Sequence, residues 1–342
     1  MQERIVYIIG AGASNEANLP DGIELKQKIS NHLNFYSKDD SILDGGNKIY
    51  RAIRLLVGKE SNPYIEATMV IRKALLLAGS IDNLIDAHHG NEKIALCSKL
   101  AIVQSILEAE NESLLSFSKS STGSSINFHA LQKTWYWHFF DRIISNCSDL
   151  KERFKSITLI VFNYDRCIEH FIYFALQDYL AIPAFEAAEL VKCINIYHPY
   201  GSVGNLPWYS QTNNMEFGAN PNPQKLLELA KKIKTFSEGT NPDSSEIFDI
   251  RRNILNANIL VFLGFAFHGL SMQMIKPDNI EGVKVRRKEC YATAKGISRN
   301  DIPYIKEEIK GYYGFNSKDI MMINIPCIDF FLYLKRALAF KK

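Results

Sequence analysis

Two glycines, spaced one residue apart directly after an apolar run, could bring backbone amides close to a phosphate group. The run is Ile5–Ile9, and the segment that follows it is Gly10–Ser14. Because glycine has no Cβ, Gly10 and Gly12 allow a tight turn and a close approach to a pyrophosphate. Ser14 could cap the next helix or donate to a phosphate. The third glycine of the usual fingerprint is missing, so the alternative is a strand-to-helix turn that binds nothing.

Three further segments place polar residues or glycine directly after apolar runs. The amide of Asn163 could orient a ribose or a water, although Asn163 and Asp165 could equally form an Asx turn that caps a helix. The imidazole of His198 could act as a general base near neutral pH, although a lone histidine is more often structural. In chain order, the runs and the segments after them are Ser156–Phe162 with Asn163–Asp165, Cys193–Tyr197 with His198–Ser202, and Ile259–Leu263 with Gly264–His268.

The elements that must position these residues alternate between strands and helices. This alternation predicts an α/β fold with a Rossmann-like parallel sheet. Ligands of such sheets bind outside the carboxyl ends of the strands, so one pocket can collect all four segments. Residues of about 45–155 instead show the periodicity of successive amphipathic helices. We therefore expect a single domain over 1–342, with a helical insertion at about 45–155 and the remainder of the Rossmann-like core at 156–342.

Three segments give more local expectations. Ser118–Ser125 is almost without apolar residues and predicts an exposed, mobile loop inside the insertion. Phe128–Ile144 is rich in aromatic residues and predicts one buried helix. Leu332–Phe340 predicts a terminal helix.

The composition excludes several classes of protein. The net charge of +3 gives no electrostatic case for direct nucleic-acid binding, and we interpret the basic run Lys284–Lys288 as a solvated face. No apolar stretch approaches the ~20 residues that cross a bilayer, and the charged start of the chain does not resemble a signal peptide. The six cysteines lack zinc-finger spacing. This favours unpaired thiols in the cytoplasm and predicts no metal site.

The first two polar segments resemble the opening motifs of the Sir2 (sirtuin) superfamily. Gly10–Ser14, followed by Pro20 and Asp21, resembles the first motif, with the proline and the aspartate at the family's spacing. Phe162–Asp165 resembles the second motif, whose asparagine and aspartate are essential in the family.

The later segments match further motifs of the same superfamily in the family's order. His198, followed by Gly201 and Ser202, is similar to the catalytic-histidine motif, although two residues separate the histidine from the glycine. Gly264 and Phe265 resemble the loop that closes over the nicotinamide-ribose half, and Thr293 resembles a distal adenine-side contact, which is a weaker match.

The departures from the superfamily's pattern narrow the resemblance. Protein-deacylating sirtuins carry a zinc module with two cysteine pairs after the histidine, whereas this chain has no such pairs. Gly22–Ile23 replaces the usual Phe-Arg, and Ser80–Asp82 resembles a segment of bacterial Sir2-like anti-phage effectors. The resemblance to those effectors implies a cytoplasmic enzyme of abortive infection that hydrolyses NAD⁺, as substrate, to nicotinamide and ADP-ribose without zinc.

The resemblance also implies the roles of individual residues. Asn163 would orient the ribose or the water, Asp165 would hold that loop or contact the ribose, and His198 would be the base. Gly10, Ala11, Gly12 and Ser14 would hold the pyrophosphate. The other binding residues that the resemblance implies are Pro20, Asp21, Gly201, Ser202, Gly264, Phe265 and Thr293.

Partners follow from the need to control such an enzyme. Effectors of this kind are gated by assembly or by a trigger. The resemblance therefore implies a homo-oligomer and a protein partner, such as a HerA-type hexameric ATPase, or alternatively a short Argonaute or a phage trigger. The main alternative is a catalytically silent subunit that binds NAD⁺ or ADP-ribose. A nuclease is disfavoured by the charge and by the lack of a carboxylate metal cluster, and a deacylase by the missing zinc module.

Overall fold

The centre of the molecule is a parallel β-sheet. A computed structural model describes residues 3–35, 47–120, 123–239, 245–277 and 289–340. Within these ranges the strands are β1 (Ile5–Ile9), β2 (Phe117–Ser120), β3 (Gly123–Ile126), β4 (Ile157–Val161), β5 (Asn195–Tyr197), β6 (Ile259–Leu263), β7 (Glu289–Thr293) and β8 (Ile320–Ile323).

Six of these strands form the sheet in the order β5-β4-β1-β6-β7-β8, and all neighbouring pairs are parallel. Counted within the sheet, this is the 3-2-1-4-5-6 order of the Rossmann fold, so the predicted α/β, Rossmann-like sheet is confirmed. Every residue of β1, β4 and β6 is buried, because helices cover both faces of such a sheet. The strand order reverses between β1 and β6, and their carboxyl ends therefore flank the crevice where such folds bind ligands.

Helices surround the sheet and fill most of the region between β1 and β4. No helix in the described ranges combines the length and the apolar character that a membrane crossing requires. In chain order the α-helices are Ala11–Ser14, Gly22–His32, Lys48–Val57, Asn62–Ala74, Ile81–Ala87, Glu92–Glu112, Phe128–Leu131, Trp135–Ile144, Leu150–Lys155, Cys167–Leu180, Ala184–Val191, Pro223–Ala230, Phe236–Gly239, Ser245–Asn256, Gly269–Ile275, Ile302–Tyr313 and Cys327–Tyr333, with 3₁₀ turns at Asn15–Ala17 and Ser317–Asp319.

The two faces of the sheet carry separate hydrophobic cores. Ile8 belongs to one core and Tyr7 to the other, because successive side chains of a strand alternate between faces. The chain between β1 and β4, called the helical region below, contributes to both cores: helix Glu92–Glu112 packs in the first and helix Trp135–Ile144 in the second. Phe139 meets Tyr7 edge-on, with 5.2 Å between the ring centroids. The helical region therefore shares its cores with the sheet.

Two local predictions in the helical region are wrong. The described residues of Ser118–Ser125 are not a loop, since they belong to β2 and β3, which pair antiparallel. A backbone ladder needs no apolar side chains, so the Ser-rich composition did not reveal it. The segment Phe128–Ile144 is two helices instead of one, because Thr134 has extended backbone at the start of the second helix.

The predicted terminal helix is also misplaced. The helix begins at Cys327, directly after Pro326, and ends at Tyr333. Proline suits the position before a helix because its fixed φ and missing N–H are tolerated there. Leu334 and Leu338 are buried without belonging to a helix, and this buried spacing explains the shifted prediction. The basic run Lys284–Lys288 lies outside the described residues.

Candidate functional site

The glycine turn after β1 packs directly against the turn after β6. The amide of Gly10 donates to the carbonyl of Leu263 at 2.9 Å. The amide of Gly12 donates to the carbonyl of Gly264 at 3.0 Å. A Cβ at Gly10 would lie 2.5 Å from the Gly264 carbonyl oxygen, and one at Gly264 would lie 2.0 Å from the amide nitrogen of Ala13. Glycine is required here because two backbones touch, and the two glycine amides already have carbonyl partners.

Replacement of Gly264 by alanine is expected to destabilise the fold by roughly 2 kcal/mol or more. The new Cβ would force the backbone of Gly12 and Ala13 to move, and the alanine itself would keep a strained φ. Gly264 has a φ of +55°. Gly296 is the matched control, since its φ is +83° and a Cβ there would meet nothing within 4 Å. Urea unfolding of Gly264→Ala and Gly296→Ala separates the cost of the strained φ, which both variants carry, from the cost of the backbone contact at Gly264. Equal losses of unfolding free energy in the two variants would show that the turns are not tightly packed.

A hydroxyl relay joins the turns after β1 and β4. Ser14 Oγ donates to Asp165 Oδ2 at 2.8 Å, and Asn163 Nδ2 donates to Ser14 Oγ at 2.7 Å. Because an ionised carboxylate only accepts, the Ser14 proton points to Asp165 and the Asn163 amide must supply the second proton. The relay therefore fixes which way the Asn163 amide faces. In the part of the chain that is described, no group donates to Asn163 Oδ1, which leaves that oxygen available as an acceptor.

Asp165 serves two parts of the site at once. Its Oδ1 accepts from the amide of Cys167 at 3.1 Å, which forms the Asx turn that begins helix Cys167–Leu180. Burial raises the pKa of Asp165, while the hydrogen bonds from Cys167 and Ser14 oppose that rise. The Ser14 hydroxyl, which could have faced a phosphate, is instead buried and directed to this carboxylate.

His198 follows β5 and lies beside the relay. Its Nδ1 is 3.4 Å from the backbone carbonyl oxygen of Asn163, and its Nε2 is 2.7 Å from Glu169 Oε1. Burial disfavours the charged ring, but the Glu169 carboxylate and its hydrogen bond outweigh burial, so the pKa of His198 is raised above the ordinary value of 6.5. Both ring nitrogens face oxygen acceptors, an arrangement that suits the protonated imidazolium.

A cavity of about 270 Å³ opens beside His198. It lies between the turn after β5 and the start of helix Cys167–Leu180. Among the sequence-predicted site residues, His198, Gly201 and Ser202 line it, whereas the glycine turn does not. Other residues that line it include Glu169, Asn205, Tyr209 and Lys232.

Gly201 shapes the wall of this cavity. Its φ is +74°, and its amide donates to the His198 carbonyl at 2.8 Å. A Cβ at this position would lie 1.9 Å from the carbonyl oxygen of Lys232. The motif glycine is thus explained by a close backbone approach. The hydroxyl of Ser202, the next residue, donates to the carbonyl of Gly204 at 3.4 Å.

The remaining predicted residues divide between the site and its scaffold. Thr293 Oγ1 accepts from the Gly264 amide at 2.8 Å and ties β7 to the turn after β6. Phe265 is buried, with its ring centroid 5.0 Å from that of Phe162. Asp21 caps helix Gly22–His32 by accepting from two backbone amides, and the buried Pro20 precedes this cap. Within the described ranges, no hydrogen bond joins Asp21 to the relay.

A buried ion pair, unforeseen from the sequence, supports the site. Arg166 and Glu110 are exposed by 1% and 0%, and the Arg166 guanidinium makes two hydrogen bonds to that carboxylate. Arg166 also donates to the carbonyls of Met215 and Glu216. The pair therefore joins helix Glu92–Glu112 of the helical region to the turn after β4.

Two further contacts connect the helical region to the strand ends. The Tyr164 hydroxyl donates to Asp82, which brings the Ser80–Asp82 segment next to the second motif. The carboxylate of Glu16 accepts from the amides of Trp135 and Ile328, at 2.8 and 2.9 Å.

Glu169 is the residue at the site that sequence reasoning missed. It lies four residues after Asp165, in the first turn of helix Cys167–Leu180. Acidic residues are common in that position because the helix dipole favours them, so its type carried no functional signal. The available clue was its position four residues after Asp165, which places both side chains on the same face at the start of this helix.

The arrangement supplies an amide acceptor, an imidazole and a carboxylate at the carboxyl ends of adjacent strands, which suits positioning of a hydroxyl or a water. Among the described residues, no group of three His, Cys, Asp or Glu side chains could hold a metal ion. A scan against protein-family models finds no match, and a search of curated proteins finds none.

Proposed function

We propose that the protein is an NAD⁺ glycohydrolase, which cleaves NAD⁺ to nicotinamide and ADP-ribose. The observation that carries the proposal is the hydrogen-bonded series Asp165–Ser14–Asn163–His198, which spans the ends of β1, β4 and β5. The Rossmann strand order supports a dinucleotide at this edge of the sheet. The order of the Sir2-like motifs supports NAD⁺ as the substrate.

The reaction requires little covalent chemistry from the protein. A water oxygen forms a bond to the ribose C1′ while the bond from C1′ to the nicotinamide nitrogen breaks. Nicotinamide leaves with the electron pair, and the water gives up one proton. Asn163 Oδ1 is suited to accept a hydrogen bond from that water or from a ribose hydroxyl, because its amide is held by Ser14. Asp165 holds this geometry by accepting the hydrogen bond from the Ser14 hydroxyl.

His198 is the proposed base, and it can accept the water's proton only as a neutral ring. Its pairing with Glu169 favours the protonated form. The base therefore forms as the pH rises, and hydrolysis is faster on the alkaline side of the raised pKa of His198.

The alternative, a silent subunit that binds NAD⁺ or ADP-ribose, is favoured by a different observation. The amides of Gly10 and Gly12 and both nitrogens of His198 already face oxygen acceptors in the protein. A site in this state holds a ligand without a free base.

We further propose that the chain acts in the cytoplasm as an NAD⁺-depleting effector of anti-phage defence, assembled as a homo-oligomer. A HerA-type hexameric ATPase is the preferred partner, and a short Argonaute or a phage trigger is the alternative. The large apolar side chains that the helical region leaves exposed support an assembly surface there; they include Leu55, Leu56, Leu76 and Leu77.

Purified chain mixed with NAD⁺ is expected to release nicotinamide over many turnovers, as followed by liquid chromatography. Light scattering of the same preparation is expected to give a mass above that of one 38.9 kDa chain. ADP-ribose binding without nicotinamide release, in the presence and absence of a HerA-type partner, would favour the silent subunit. A chain that neither binds ADP-ribose nor releases nicotinamide under these conditions would overturn the proposal.

A further inference from the structure

Residues 205–215, which follow the turn after β5, form a closed loop that we call the cavity loop. Its two ends meet at Asn205, whose amide donates to the carbonyl of Asn213 at 3.1 Å and whose carbonyl accepts from the amide of Met215 at 2.8 Å. None of these residues, all of which are described, belongs to a helix or to a strand of the sheets. Surface loops are more mobile than the elements they connect, so contacts with the rest of the protein must fix this one.

The cavity loop forms part of the wall of the cavity beside His198. Leu206, Tyr209 and Asn213 line that cavity together with His198 and Glu169. Burial raises the pKa of the Tyr209 hydroxyl, and the charge of the Glu169 carboxylate adds to the rise. Tyr209 therefore lies near Glu169, yet 38% of it is still exposed. A molecule that enters the cavity meets this loop as well as the turn after β5.

An aromatic stack on helix Cys167–Leu180 holds the body of the cavity loop. The Trp208 ring lies almost parallel to the Tyr173 ring, with 4.2 Å between the centroids and 8° between the planes. Trp208 Nε1 is buried and has no hydrogen-bond partner in the described ranges, so ring packing and not a hydrogen bond holds this side chain. Trp208 itself does not line the cavity.

Two more contacts hold the chain at the end of the cavity loop and just past it. Arg166 donates to the carbonyl of Met215, and the Phe217 ring stacks on the His170 ring with 3.9 Å between the centroids. Arg166, His170 and Tyr173 lie at positions i, i+4 and i+7, which places them on one face of the same helix. The helix that follows the Asn163 turn therefore also positions the cavity loop.

We propose that Trp208 is a positioning residue, which acts through the cavity loop to hold the cavity in its binding geometry before the substrate arrives. The identification of that substrate as NAD⁺ rests on the proposed function. A loop that is already fixed loses little conformational freedom when a ligand binds, whereas a loosened loop must first be ordered, which lowers the affinity. The loop carries neither Asn163 nor His198, so loosening it weakens binding and leaves the chemical step unchanged.

The test compares two variants of Trp208. Trp208→Ala removes the stack, whereas Trp208→Phe keeps a ring that can lie on Tyr173. By isothermal titration calorimetry, Trp208→Ala is expected to bind ADP-ribose about fivefold or more weakly than wild type, and Trp208→Phe to stay within about twofold. The KM for NAD⁺ is expected to rise in Trp208→Ala, while the single-turnover rate at saturating NAD⁺ stays within about twofold of wild type.

Trp137→Ala is the matched control, since Trp137 is 41% exposed and lies on helix Trp135–Ile144, away from the cavity loop. It is expected to keep the wild-type affinity. Hydrogen exchange of residues 205–215 reports on the loop without any ligand. Their amides are expected to exchange faster in Trp208→Ala than in wild type, and at about the wild-type rate in Trp208→Phe.

The outcomes separate this inference from the proposed function. A Trp208→Ala chain that melts like wild type and binds ADP-ribose as tightly overturns the inference and leaves the glycohydrolase proposal intact, as does a lower single-turnover rate with unchanged affinity. A wild-type chain that binds ADP-ribose without releasing nicotinamide overturns the glycohydrolase proposal alone, since the measured affinities still decide the role of Trp208. A wild-type chain that does neither overturns both.

Discussion

Replacement of Asn163 or His198 by alanine is expected to lower the rate of NAD⁺ hydrolysis by on the order of 10²-fold or more. Asn163→Ala removes the side-chain oxygen that the relay holds in place for a water or a ribose hydroxyl. His198→Ala removes the proposed base and leaves the buried Glu169 carboxylate without its partner. Nicotinamide release under single-turnover conditions measures the chemical step for each variant.

The controls match each residue type at an exposed position. His89→Ala and Asn300→Ala change exposed side chains outside the strand ends and are expected to keep wild-type rates. In the wild type, the rate is expected to rise with pH through the raised pKa of His198, because the base must lose its proton first. Wild-type rates in both Asn163→Ala and His198→Ala would contradict the assignment of the site.

Removal of the buried cation at Arg166 is expected to cost about 3–5 kcal/mol of stability, which is a large share of the total for a folded domain. In Arg166→Met the Glu110 carboxylate stays buried with no counter-charge, and the Met215 and Glu216 carbonyls lose a donor. Urea unfolding measures the loss. Lys310→Met, which removes one partner of an exposed ion pair, is expected to change stability by less than about 1 kcal/mol.

The pH dependence of this loss has a definite sign. Burial raises the pKa of Glu110 even beside Arg166, and loss of the guanidinium raises it further. A carboxyl whose pKa is raised by folding destabilises the protein when ionised, and protonation relieves that cost. The difference between Arg166→Met and wild type is therefore expected to shrink as the pH is lowered. The double variant Glu110→Gln/Arg166→Met is expected to be more stable than Arg166→Met, and equal stability of the two would contradict the ion-pair explanation.

The strands and the edge of the site were predictable because their determinants are local. Continuous β-branched runs ended by glycine, asparagine or histidine mark buried strands, and parallel strands end on one edge of a sheet. This reasoning brings Ser14, Asn163 and His198 together from residue order alone. It also left open whether Asp165 forms an Asx turn or serves the site. In the folded chain Asp165 accepts from the Cys167 amide in such a turn and from the Ser14 hydroxyl, and its role in a reaction stays a prediction.

The supporting contacts were not predictable because they join residues of ordinary type across long separations. Glu110 lies near the polar end of helix Glu92–Glu112, where a solvated face is the usual outcome, and its partner is 56 residues away. Glu169 looks like any acidic residue in a first helical turn. Gly201 was recognised as a motif residue, but its reason is a backbone approach to Lys232 that no local pattern encodes.

The hydrogen bonds of the Glu16 carboxylate can be completed only late in the synthesis of the chain. One of its donors, the amide of Ile328, is synthesised 312 residues after Glu16 itself. At about 5–20 residues per second, the interval is roughly 15–60 seconds. The central strand β1 likewise pairs with β4 and β6, both of which follow much later in the chain. The glycine turn therefore cannot reach its final geometry until β6 has left the ribosome. On the proposed function, a nascent chain is unable to deplete the cell's NAD⁺ while these late segments are still missing.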